Sequence, residues 1–473
     1  MIPPLDSRRG PDLGGQLRVT APGSVVVSTD ALLASADRLR SLERGLHEDC
    51  RRVVAADAIH PGWPVSALIS PLDALRARCE QARDAFDRVA ADYTAHEAAL
   101  AGAQRDLAAL IAATIGSFAV TLLARLVLLN PGLLVAVGLY GWSSIPDTGD
   151  GRLDTVKQFF LDHPELITSP EFTRFVSLLS TSIDDAVLGA VGVPPILAPL
   201  PGVELGPDGG VAAGALTLIG VGGLFGMFRE TPVTVEREST KPVTAPPSGA
   251  RGHLDRIPEA SQVRIEKYEA DGMPDRYVVY VAPTETFSPF AESEPRDLTS
   301  NIHGVAGLEA GAFRAVEQAM REAGIRPDDE VVVSGFSQGG LVATMVAGSG
   351  HWNVVGAATF GAPAGNIPLP PDLVGMAVRN TDDFIPALAG PQLDHSLLQV
   401  EREAFRDGVE IPDEQPAPAH QRSAYTRTAD AIDAAESAVV REQLRLLDDF
   451  TSGYLDQPGG RATETVYRSV RTG

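Results

Sequence analysis

The sequence predicts an α/β protein in two parts: an all-α helical-hairpin domain, followed by a domain built on a mostly parallel sheet. Residues 29–57 and 70–104 carry apolar side chains at helical spacing, with no strand-like alternation. From residue 256 onward the period changes, and short β-branched runs alternate with helical stretches. Between the halves, residues 229–255 mix Pro, Thr, Ser and charges without any period, which reads as a linker. The expected organisation is a disordered tail at 1–28, a helical domain at 29–228, the linker at 229–255, the sheet domain at 256–455 and a tail at 456–473.

Composition narrows the class. At 473 residues and 44% hydrophobic content the chain has enough material for two or three cored domains. A formal net charge of -23 excludes nucleic acid as the expected partner, because a phosphate backbone would be repelled. The only cysteines, Cys50 and Cys79, exclude a disulfide-rich scaffold and a Cys-based zinc cluster. The nine histidines include no His-x-x-x-His pair, so no metal is expected. No Gly-x-Gly-x-x-Gly follows a strand, and no nucleotide cofactor is expected either. The amino end, MIPPLDSRRGPDLGG, has no apolar run behind its two arginines, so any export is expected without a cleaved signal peptide. Membrane association and a cytoplasmic location stay open beside export.

The first helix places Leu32, Leu39, Leu46 and Val53 on one stripe, and the second does the same with Leu75, Cys79, Ala82, Phe86, Val89, Tyr93 and Leu100. Ser70, Pro71 and Asp73 start the second helix, and HPGWP at 60–64 turns the chain back between them. Cys50 and Cys79 lie nearly equidistant from that turn on facing stripes, as two buried thiols or as a disulfide. The hairpin resembles the helical module of type VII secretion substrates, whose Tyr-x-x-x-Asp/Glu signal is matched by Tyr93 and Glu97. The family's Trp-x-Gly turn is absent, since Trp63 is followed by Pro64 and Val65. Two apolar runs follow, 107–142 and the glycine-dense 209–228. The first is interrupted by Arg125, and its uncharged run 107–124 and the stretch 209–228 are each near the length of a membrane span; the readings are membrane contact or buried helices.

In the sheet domain, QVRIEKYE (262–269) and RYVVYVA (276–282) read as a hairpin. A helix is expected at about 306–324, a strand at 330–335, a helix from Gln338 to about Ser349, strands at 354–360 and 374–379, and a last helix at about 421–449. The motif GFSQGG therefore falls where a buried strand meets a helix. Gly335 and Gly339 are small enough to let strand and helix approach across a sharp turn, lifting the hydroxyl of Ser337 into the open. A serine hydroxyl needs an imidazole to take its proton, and the imidazole needs a carboxylate to orient it.

With strand, turn and helix in register, this half resembles the α/β-hydrolases, and around Ser337 the class 3 lipases and cutinase-like esterases. The resemblance implies a serine ester hydrolase with the chain order Ser, acid, His. In RNTDDFIP the acid maps onto Asp383, with Asp382 as the alternative. His420, which opens the final helix with Tyr425 behind it, fits the base, and His395 in LDHSLLQVERE is the alternative. The implied oxyanion donors are the N–H groups of Gln338 and Thr284, where Pro283 replaces the family's flexible glycine. Phe360–Asn366 resembles the family's turn after the next strand, and His303 a histidine preceding the helix before the serine. The loop 402–419 is a candidate lid. The implied substrate is an ester or a lipid. The rival expectation is a secreted or membrane-inserting interaction protein with a degenerate hydrolase scaffold.

Overall fold

The computed structural model describes residues 17–20, 51, 77, 164–180, 210–223, 226–259, 262–392, 396–405, 409–412 and 415–472. Arg51 and Ala77 are helical; the rest of the expected hairpin, with Cys50, Cys79, Tyr93 and Glu97, lies outside the described residues, as do the run 107–142 and His395. All other described residues belong to one unit.

Nine strands form one sheet: β1 (Arg18–Thr20), β2 (Val233–Pro242), β3 (Gln262–Glu269), β4 (Arg276–Val281), β5 (Glu330–Phe336), β6 (Asn353–Phe360), β7 (Val374–Asn380), β8 (Leu398–Arg402) and β9 (Arg461–Arg471). Their order is β1-β8-β7-β6-β5-β4-β3-β9-β2. The centre, β4 to β8, is parallel; β4 to β7 fall on the strands expected at 276–282, 330–335, 354–360 and 374–379, and β8 continues the sheet beside them. The flanks are antiparallel: β3 on β4, β9 on β3, β2 on β9, and β1 on β8. The sheet is thus mixed, not mostly parallel, because segments expected to be linker and tails extend it.

Those segments, expected to be without regular structure, carry strands and a helix. Residues 233–242 of the expected linker form β2, an edge strand that is mostly exposed and held by its ladder to β9. The end of the same stretch is a helix, Gly249–Arg256, which buries Ala250 and Leu254 and is followed by buried Ile257. Residues 461–471 of the expected tail form β9, whose residues Ala462, Glu464, Tyr467, Ser469 and Arg471 are buried. Arg18–Thr20 of the other expected tail pairs with β8.

The helices are α1 (Pro164–Ile167), α2 (Pro170–Ser180), α3 (Gly210–Gly223), α4 (Gly249–Arg256), α5 (Leu298–Val305), α6 (Gly311–Glu322), α7 (Gln338–Gly348), α8 (Phe384–Ala387), α9 (Arg422–Asp433) and α10 (Ala438–Thr451). Helices α4, α9 and α10 cover one face of the sheet through Leu254, Ile432 and Leu444, packed with Tyr280, Phe360 and Met376. Helices α6 and α7 cover the other through Phe313, Met320 and Val346, packed with Val279 and Val333. A third cluster joins Val176 of α2 and Ala215 of α3 to Ile302 of α5, Leu341 of α7 and Phe384 of α8. Helix α3 ends at Gly223, short of the ~20 residues a span requires, and no helix among the described residues is long and apolar enough to cross a membrane.

The last expected helix is two, α9 and α10. Asp433, at the end of α9, accepts from the first-turn N–H groups of α4, Ala250 at 2.7 Å and Arg251 at 3.0 Å, which places a carboxylate on that helix's positive end. The expected helix at 306–324 is α6, which starts at Gly311, and a further helix, α5, lies just before the expected range. Asp297 caps α5, accepting from Ser300 N–H at 2.8 Å, and Arg471 at the end of β9 donates to it through Nε at 2.9 Å. The end of β9 is therefore tied to the start of α5.

Candidate active site

Ser337 is the single residue between β5 and α7, and its backbone lies at φ 56, ψ -124. A non-glycine residue held there carries strain of about 1–3 kcal/mol, which the surroundings must offset. They do so through two bonds: Ser337 N–H donates to Phe360 O at 2.8 Å, and Ser337 O accepts from Leu341 N–H at 3.1 Å. Two glycines make the bend sterically feasible. A Cβ on Gly335 would stand 2.1 Å from Gly339 O, and one on Gly339 would stand 2.1 Å from Val281 O. Because both obstacles are backbone, neither yields by a side-chain rotation. Gly339→Ala is expected to destabilise the fold by about 3 kcal/mol, read as a lowered urea midpoint. A midpoint equal to wild type would show that the bend is not tightly packed.

At the end of β7 the chain turns through Asp382 and Asp383 into α8. Asp383 is fully buried and caps α8, its Oδ1 accepting from Ile385 N–H at 3.0 Å. Its Oδ2 accepts from His420 Nδ1 at 2.7 Å and from the Tyr425 hydroxyl at 2.8 Å. With Nδ1–H turned to the carboxylate, His420 Nε2 is the acceptor for the Ser337 hydroxyl, at 2.8 Å. The expected serine, acid and base thus meet in one hydrogen-bonded line.

Aromatic neighbours brace the imidazole. Its ring stacks on Phe336, with centroids 5.2 Å apart and planes at 23°. Tyr425 meets both rings edge-on. Gly361, at φ 60, lets both rings come close: a Cβ there would lie 2.9 Å from Tyr425 Cζ and 3.1 Å from His420 Cε1. Asn380 fastens the strand end to the histidine's own segment, its Nδ2 donating to Ala419 O at 2.8 Å while its Oδ1 accepts from Thr428 at 2.7 Å.

The alternative acid, Asp382, points elsewhere. Its two oxygens accept from Ala404 and Phe405 N–H, each at 2.8 Å, and burial pushes its pKa up to about 6. His303 also serves structure: Nε2 donates to Phe228 O at 2.9 Å. Another buried histidine, His253, shares a 2.9 Å bond with Ser334 Oγ on the strand leading to the bend, and burial lowers its pKa to about 4.

A pocket of about 370 Å³ opens on Ser337 and His420, walled mainly by Pro283, Phe287, Phe336, Pro363, Ile385 and Ala417. Glu259, Gln421 and Arg422 add polar groups to its lining, and Pro416 and Ala417 come from the expected lid loop. Thr284 lines it too, with Oγ1 accepting from Asn301 Nδ2 at 3.1 Å. The Gln338 side chain is buried and donates to Asp297 O at 2.8 Å, so what this residue offers Ser337's surroundings is its backbone N–H, one of those that the first turn of a helix leaves without an intrahelical acceptor. Among the described residues, no group of three or more His, Cys, Asp or Glu side chains is placed to hold a metal ion.

Sequence reasoning missed Asn380, Asn301 and Phe336, and mentioned Tyr425 without a task. Phe336 could have been found, since it adjoins Ser337 and must flank whatever ring meets it. Asn380 and Asn301 act across the fold, on residues 39 and 17 positions away, and no local spacing announces that. No family model, curated protein or solved structure matches this chain.

Proposed function

We propose that the protein is a serine hydrolase of the α/β-hydrolase type that cleaves carboxylic esters. The observation that supports this best is the line from Ser337 Oγ through His420 to Asp383, closed at 2.8 and 2.7 Å beside an open pocket. The positive φ of Ser337 supports it further, since strain of this kind is retained where a side chain must be presented.

In this reading the Ser337 oxygen attacks the ester carbonyl while its proton passes to His420 Nε2. The imidazolium is stabilised by Asp383, and the oxyanion accepts from the N–H groups of Gln338 and Thr284, with the Thr284 hydroxyl oriented by Asn301. His420 then protonates the leaving alcohol, and an acyl group remains on Ser337. Water repeats the sequence on the acyl-enzyme and restores the serine. The apolar wall of Phe287, Pro283, Ile385 and Ala417, at the small end of ligand-pocket volumes, suits a compact apolar acyl or alcohol group.

A fluorophosphonate probe tests the reading, because it is attacked by an activated serine and not by an ordinary one. Stoichiometric labelling of the folded wild type, lost in Ser337→Ala, is the expected result. A folded wild type that stays unlabelled would favour the scaffold reading and end the catalytic one.

A further inference from the structure

We infer that Tyr425 is a positioning residue that sets the proton affinity of the His420–Asp383 pair; this rests on the hydrolase reading above. The same carboxylate oxygen, Asp383 Oδ2, accepts from the Tyr425 hydroxyl at 2.8 Å and from His420 Nδ1 at 2.7 Å. Two donors on one oxygen share its negative charge. The phenol therefore weakens the hold of the carboxylate on an imidazolium, and keeps the pair readier to release its proton.

The phenol has no freedom to do otherwise. Tyr425 is fully buried, and its oxygen accepts from Asn380 N–H at 3.2 Å, which directs its own hydrogen to Asp383. Burial, and next the neighbouring Asp383, raise its pKa well above that of an ordinary phenol, so it remains a donor at any pH where the protein works. The ring is wedged between Phe336, His420 and the bare Cα of Gly361, which leaves the hydroxyl one direction. The other charged groups around the pair are Asp382 on the same turn, Arg402 reaching from β8 to Thr428, and Glu259 and Arg422 on the pocket lining. Asp382 is engaged by two backbone N–H groups, and Arg422 donates to Leu254 O and Ile257 O, so neither supplies the donor that Tyr425 supplies.

Removing the hydroxyl returns the full charge to Oδ2. Proton affinity of the pair rises whether the proton is assigned to the ring or to the carboxylate, so the sign of the effect does not depend on that assignment. The test is a titration of the His420 ring by 15N NMR in the full-length protein, which needs no turnover. Tyr425→Phe is expected to raise the midpoint by about one pH unit. 3-Fluorotyrosine introduced at position 425, a more acidic and so stronger donor, is expected to lower it. The acid limb of kcat/KM for a nitrophenyl ester is expected to move with the NMR midpoint in both proteins. Midpoints unchanged from wild type in the fluorotyrosine protein would overturn the inference, even if Tyr425→Phe fails to fold. A residue serving packing alone would alter stability or kcat without moving the midpoint. If the NMR midpoints move and no ester is turned over, the coupling stands and the hydrolase reading fails.

Discussion

His420→Ala is expected to lower kcat for ester hydrolysis on the order of 10⁶-fold, and Ser337→Ala by a similar factor. The double variant is expected to be no worse than either single one, because in the proposed mechanism the two groups act as a unit: the hydroxyl is a nucleophile only while Nε2, 2.8 Å away, is there to take its proton. What survives in each variant is whatever the oxyanion donors and the pocket contribute without a nucleophile. His420 also stacks on Phe336, so the variant leaves a gap beside that ring, and far-UV circular dichroism with a urea melt separates lost chemistry from lost fold. Residual activity within about 100-fold of wild type in a folded His420→Ala protein would mean that the imidazole is not the base.

The second large effect separates two adjacent carboxylates. Asp383→Asn is expected to cost roughly 10⁴-fold in kcat with KM little changed, since an amide in that place no longer fixes the Nδ1–H tautomer of His420 and does not stabilise the imidazolium. Asp382→Asn is expected to keep kcat within a few-fold of wild type, because both its oxygens are turned to Ala404 and Phe405 N–H and neither meets the imidazole. Its effect is on stability. Burial raises the folded pKa of Asp382 from the ordinary 3.8 to about 6, so across that window the folded state holds more protons than the unfolded one. Stability contributed by this group is then greatest at low pH and falls as pH rises from about 4 to about 6. Urea melts at pH 4 and pH 7 are expected to show a smaller loss in Asp382→Asn than in wild type. An Asp382→Asn protein as inactive as Asp383→Asn would contradict the assignment of the acid.

Much of the sheet was legible because its strands are buried on both faces and carry β-branched runs: Val331 to Val333 and Val278 to Val281 have no other reading. Ser337, Asp383 and His420, which the fold brings into one hydrogen-bonded line, were picked out by chain order and the hydrolase resemblance together, each at an expected strand end or helix start. Segments whose order is provided by a partner were not legible. Strand β2 is a mostly exposed ribbon with no apolar alternation, and what orders it is the ladder to β9 more than 200 residues later. β9 itself alternates, but its buried set includes Glu464, Ser469 and Arg471, and polar residues in those places hide a core-facing period. Arg471 and Asp297 neutralise one another across 174 positions, and that pairing, invisible to any local pattern, is what makes the burial tolerable. Asn380 and Tyr425 were opaque for the same reason: their value is in where the fold takes them.

The most direct test of the central claim is to look for the acyl group itself. Rapid-quench turnover of a short-chain nitrophenyl ester, followed by peptide mass spectrometry, is expected to show a burst of one nitrophenol per chain and an acyl adduct on the peptide carrying Ser337. Steady hydrolysis by the wild type with neither a burst nor an adduct on that peptide would contradict it.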